Sequence, residues 1–172
     1  MDFSLGQRVV YPTYGVGTVE NITDQIIGGS RISLYIVRIL GNNITLMVPV
    51  NNVGHVGLRN LSSPEYCREI LESLKDRSNF TGYTGQNWNR RYREYSERLK
   101  TGTLADSCNV LKELLLIRGE KELSFGERRL LEQAMNFVTV EIACVLENRQ
   151  ESIQNHIEAM FEDILPGQEK NP

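Results

Sequence analysis

Ser62-Ser63-Pro64-Glu65 is the first helix start in this sequence, whose grammar changes after Gly57. A serine that can accept from free backbone N–H groups, a proline at the first helical position and an early carboxylate together make a helix start. Upstream of it, residues 1–58 read as short β-strands. Downstream, residues 59–166 read as helices, and residues 167–172 as a flexible polar tail. The expected fold class is α+β in two modules.

Working back from that point, Arg8-Val9-Val10-Tyr11 is a short strand ended by Pro12. A β-branched run follows from Val16 to Ile27, and Gly28-Gly29 is a hairpin signal. Ile32 to Leu40 and Ile44 to Val50 are two further strands, separated by Gly41-Asn42-Asn43, and Asn51-Asn52-Val53 can add a short one. Strands this short, with turns this tight, predict an SH3-like or Tudor-like β-barrel. Such barrels bind far more often than they catalyse.

Working forward, the spacing predicts an all-α domain of five helices. The first runs from Pro64 to about Lys75. The second starts at the Asn87 cap and ends near Gly102. The third follows the Thr103/Asp106 cap to about Lys121, and the fourth opens with the capping-box pair Ser124 and Glu127. The fifth runs from near Arg149 to Leu165, where Pro166 stops it.

Composition sets limits on function. The chain has 172 residues, 40% hydrophobic and 24% charged, with a net charge of −3. That length accommodates one ordinary domain or two small ones. The net charge does not announce nucleic-acid binding, so any such activity has to come from a local patch. No apolar run reaches the ~20 residues that span a bilayer, and the first residues do not read as a signal peptide. Cys67, Cys108 and Cys144 are widely spaced and form no metal or disulfide pattern, so the chain reads as reduced and cytoplasmic. His55 and His156 lie far from any partner that would make a triad or a metal site. No cofactor, metal or catalytic residue is expected, and the chain does not read as an enzyme.

The chemistry concentrates in Asn87-Trp88-Asn89-Arg90-Arg91-Tyr92-Arg93. Here the one tryptophan opens a helix, followed at once by the densest group of arginines. Guanidinium groups hold phosphates, and an apolar ring can wedge at a base step. The alternative is a protein-only adaptor whose barrel binds a partner and whose Trp88 is buried structurally. Glu94 and Glu97 stand at helical spacing to neutralise some of the arginines.

Three motifs, taken in order, give the chain its resemblance to a known family. They are Phe3-x-x-Gly6-x-x-Val9-Val10-Tyr11-Pro12-x-x-Gly15 with Val48-Pro49, then Asn87-Trp88-x-Arg90-Arg91-Tyr92 with Leu99 and Gly102, then Leu123-Ser124-x-Gly126-Glu127-x-Arg129-x-Leu131. In these the chain resembles the CarD (CdnL) family of bacterial transcription regulators, up to about residue 165. The resemblance implies a Tudor-like RNA polymerase-interacting domain over 1–58 and a helical DNA-binding domain over 59–166. It further implies docking on the polymerase β subunit by a strand edge and nearby side chains. By that likeness the polymerase-facing positions are Gln25, Ile27, Met47 and Pro49; the family's arginines at two of them are replaced here by Gln25 and Met47. Trp88 would wedge into the minor groove at the upstream edge of the promoter bubble. Arg90, Arg91, Arg93 and Arg128 would hold the backbone, and the open complex would be stabilised. The resemblance favours a monomer. The loop over 76–86, with Phe80 and Tyr83, reads as packing between the modules.

Overall fold

The structure, a computed structural model, describes residues 2–78, 80 and 88–164. The chain divides into two units, Met1–Leu61 and Ser62–Pro172.

The first unit is one antiparallel sheet. Its strands are β1 (Arg8–Tyr11), β2 (Gly15–Ile27), β3 (Ser30–Ile39), β4 (Thr45–Pro49) and β5 (Arg59–Asn60), in the order β4-β3-β2-β1-β5. The hairpin β2–β3 turns on Gly28 and Gly29, at φ +58° and +81°, the left-handed pair that a two-residue turn requires. Val9, Val19, Tyr35, Val37, Ile39 and Val48 pack on one face with Phe3, Val53 and Leu58. The Phe3 amide donates to the Tyr35 hydroxyl at 3.1 Å, and the two rings meet edge-on at 5.6 Å.

Three features correct the expectation. The sheet is not a closed barrel, since among the described residues β4 and β5 are its two free edges. Asn51-Asn52-Val53 adds no strand; the chain leaves β4 through a 3-10 turn, Val50–Asn52, into a one-turn helix, α1 (Val53–Val56). Gly57, at φ +82°, ends that helix by donating its N–H to the Val53 carbonyl. With α1 there are six helices among the described residues rather than five. Finally, a bulge at Glu20 separates Val19↔Val37 from Asn21↔Ile36.

The second unit holds α2 (Pro64–Ser73), α3 (Trp88–Lys100), α4 (Leu104–Glu120), α5 (Phe125–Val145) and α6 (Gln150–Ala159). Ser63 caps α2 by accepting from the Tyr66 amide, and Thr103 caps α4 by accepting from the Asp106 amide. Ser124 and Glu127 make the reciprocal capping box of α5. Helix α4 is apolar nearly all round, and Val110, Leu111, Leu114 and Leu115 are fully buried, so it forms the centre of the unit. Each such side chain contributes ~1.5–3 kcal/mol of burial. Cys67 and Cys108 are buried and Cys144 half-buried. Burial pushes the Cys108 thiol up to about 11, as expected of an inert core thiol.

The last helix stops earlier than its apolar spacing predicts. Helix α6 ends at Ala159 and gives way to a 3-10 turn, Glu162–Ile164. The cause is tertiary. Arg77 donates to the Met160 carbonyl at 2.7 Å and grips both Asp163 carboxylate oxygens at 2.9 and 3.0 Å.

Candidate nucleic-acid interface

Trp88 is the first residue of α3 and is half-buried, with part of its ring against the core of the helical unit. Tyr92, one turn on, meets it edge-to-face at 5.6 Å and is itself 44% exposed. Both rings rest on Gly126 in the first turn of α5: a Cβ there would lie 3.6 Å from Trp88 Cζ2 and from Tyr92 Cε2. The tryptophan is thus set against the start of a second helix. The cap predicted at Asn87, and most of the loop expected over 76–86, lie outside the described residues.

The arginines sort by helix face. Glu94 bonds Arg98 at 2.7 Å and Glu97 bonds Lys100 at 3.2 Å. The acids that could have neutralised Arg90 and Arg93 by spacing therefore turn towards the C-terminal end of α3. Among the described residues Arg90 and Arg93 make no ion pair, and both are exposed. Arg91 is half-buried and partnered. On the inner face of α3, Tyr95 is buried beside Glu113. Burial first, and then that carboxylate, raise its phenol well above the usual range, so it stays neutral.

Helix α5 separates its two arginines. Gly126 and Arg129, three residues apart, share a face. Arg129 lies over the ring of Phe125 at 5.8 Å, and Phe125 is 69% exposed. Arg128 projects roughly 200° around the helix from Gly126. It lines a different surface, a groove of about 840 Å³ that also includes Arg118, Leu131, Met135 and Glu158. Sequence reasoning gave Phe125 no role and Arg129 only a place in the third motif. The signal was available: the capping box fixes Phe125 at the first helical position, where an aromatic ring flanks the Gly126 platform.

In the first unit, the register brings the four expected polymerase-facing residues to one face. Gln25 pairs with Ile32 and Ile27 with Ser30, while Met47 pairs with Ile36 and Pro49 with Leu34. Directly opposed residues share a face, as do alternate residues of one strand. Gln25, Ile27, Met47 and Pro49 therefore stand together, opposite the face of Tyr35, Val37 and Val48. Met47 is 62% exposed on the edge strand β4. Beyond the ends of β1 and β4, the segment 24–33 continues as a two-stranded ribbon.

Comparison with known proteins accords with this division. Residues 69–158 match the family model described as the C-terminal domain of CarD, and residues 3–62 match the CarD-like/TRCF RID domain. The chain is similar to YdeB of Bacillus subtilis (strain 168), a protein named for a transcription-factor role. The two are 23% identical over 143 residues, 83% of this chain and 92% of that protein. Similar solved structures include the solution NMR structure of the 72-residue N-terminal domain of Myxococcus xanthus CarD, at 30% identity over 34% of this chain and 79% of that one, with a TM-score of 0.31. CdnLNt from the same organism is 45% identical over 35% of this chain and 84% of its own, with a TM-score of 0.31.

Proposed function

Because the chain belongs to the CarD family, we propose that it regulates transcription by docking its first unit on the RNA polymerase β subunit and setting Trp88 into promoter DNA. The observation that carries this reading is the state of Trp88: half-exposed, seated on Gly126, with Arg90 and Arg93 free of ion pairs among the described residues. Arg90, Arg91, Arg93 and Arg129 hold the phosphate backbone around the ring, and Arg128, turned to the groove on another side of α5, is left out of that surface. The contacts are to backbone and groove shape, so they carry no base-specific readout. The face of Gln25, Ile27, Met47 and Pro49 meets the polymerase, largely through apolar contact and a strand edge.

No chemical step is required. A protein that touches the open promoter complex and not the closed one shifts the balance by its differential affinity. About 1.4 kcal/mol of such contact changes the open-to-closed ratio roughly tenfold. Tethering through the polymerase raises the local concentration, so weak DNA contacts suffice despite the net charge of −3.

A second reading has its own observation: part of the Trp88 ring packs against the core of the helical unit. A protein-only adaptor would use Trp88 in that way. Quenching of the single tryptophan separates the two. The proposed function predicts acrylamide-accessible emission that is quenched or shielded on adding polymerase and a bubble template. Emission unchanged by DNA would favour the adaptor.

A further inference from the structure

Phe125 is a large apolar side chain left in water at the start of a helix. It is the first residue of α5 and is 69% exposed. A single exposed ring needs no explanation, but this one belongs to a set. Trp88 and Tyr92 rest on the Gly126 side of α5. Phe125 points about 100° away from that side, and Arg129, one turn on, falls between the two directions. The Arg129 guanidinium carbon lies 5.8 Å from the centre of the Phe125 ring. Arg129 is exposed, and among the described residues it makes no ion pair.

The backbone that carries Phe125 is held firmly. Ser124 accepts from the Glu127 amide at 3.2 Å, and the Glu127 carboxylate accepts from the Ser124 amide at 3.0 Å. Lys121 pairs with the same carboxylate at 2.6 Å. Phe125 sits inside that box, so its side chain leaves the helix in a fixed direction before any partner arrives. The first helical position has no need of an aromatic, and proline suits it best. A ring with an unpaired guanidinium beside it fits one kind of ligand: an unpaired base stacks on the ring, and the guanidinium takes the adjoining phosphate. A base inside a duplex has both faces covered already and offers the ring nothing.

We propose that Phe125 and Arg129 form a second nucleic-acid contact, which takes an unpaired base of the opened strand together with its phosphate. The inference deepens the proposed function and rests on it: Trp88 meets the edge of the duplex, and Phe125 meets the strand that leaves it. Any base serves, because every base has a face to stack.

The test measures binding of the full chain, at low salt, to two labelled DNA probes. One is a blunt duplex and the other is the same duplex with an unpaired arm. The wild type should bind the forked probe about tenfold more tightly, the gain expected of one stacked base. Phe125→Ala and Phe125→Leu should lose that preference and keep the wild-type affinity for the duplex, whereas Phe125→Trp should retain it. The leucine variant separates stacking from apolarity, and substitutions at so exposed a position leave the core intact. Arg129→Gln should weaken binding to the fork and flatten its salt dependence. Trp88→Ala should weaken binding to both probes.

Equal wild-type affinity for the two probes, or a preference that survives in Phe125→Ala, would overturn the inference. So would a Phe125→Ala protein that pulls down less polymerase in the absence of DNA, since the ring would then meet protein. If Phe125→Ala abolishes the preference while Trp88→Ala binds both probes like wild type, the second contact stands and the proposed role of Trp88 fails.

Discussion

At Gly126 the absence of a side chain determines what Trp88 can do. A Cβ there would meet Trp88 and Tyr92 at 3.6 Å, an ordinary contact. Gly126→Ala therefore keeps the rings in place and gains up to ~1 kcal/mol of helix propensity. Gly126→Leu pushes both rings off α5 and shifts Trp88 emission to the red, which a fluorescence spectrum reads directly. The neighbouring Glu127 gives a pH prediction. Burial works against its charge, but the Lys121 ammonium at 2.6 Å and bonds from Ser124 hold the carboxyl below the ordinary 4.5. A depressed carboxyl contributes stability that is complete above the unfolded value and is lost as pH falls through the folded one. The melting temperature of the wild type should thus fall below about pH 4.3. Glu127→Gln should be the less stable protein at pH 7, and the gap to wild type should narrow as pH falls below the ordinary carboxyl range. At this scale the sequence revealed which residue types matter and left their facing open. Arg128 and Arg129 are adjacent in sequence, yet α5 turns them to different surfaces.

Among the elements, legibility followed locality. The caps at Ser63, Thr103 and Ser124 formed where spacing placed them, because a side-chain oxygen and an amide two or three residues on settle the matter alone. The end of α6 did not, because Arg77 decides it from far away in sequence. The bulge at Glu20 was equally hidden, and it matters more. Val19 faces the core, and strict alternation would send Gln25 and Ile27 to the same side. The extra residue reverses the parity, so both join Met47 on the outer face. A face-specific prediction follows. Met47→Glu and Ile27→Lys should weaken polymerase binding while changing stability by no more than ~0.5 kcal/mol. Ile26→Lys, at a 79% exposed position on the opposite face of the same ribbon, should bind like wild type. Equal losses in a pull-down from all three would show that the ribbon binds without regard to face.

For the whole molecule, a β unit followed by a helical unit was legible from the change of period after Gly57, a few residues short of where the structure divides the chain, at Leu61. The sheet's open edges were not. Closure depends on whether β4 meets β5, and the chain between them folds into α1 and leaves both edges unpaired with one another. The family motifs added what local chemistry alone could not: a tryptophan and arginines at a helix start suit several partners, and order along the chain narrows the choice. The central claim is that both units act together on one promoter complex, the first by holding polymerase and the second by placing Trp88. The most direct measurement is the lifetime of open complexes formed by the cognate polymerase after competitor challenge, with wild type, Trp88→Ala and Met47→Glu. Wild type should lengthen the lifetime, by roughly tenfold if ~1.4 kcal/mol of contact is made, and each variant should lose most of that gain. A Trp88→Ala protein that prolongs the complex as well as wild type would contradict the account.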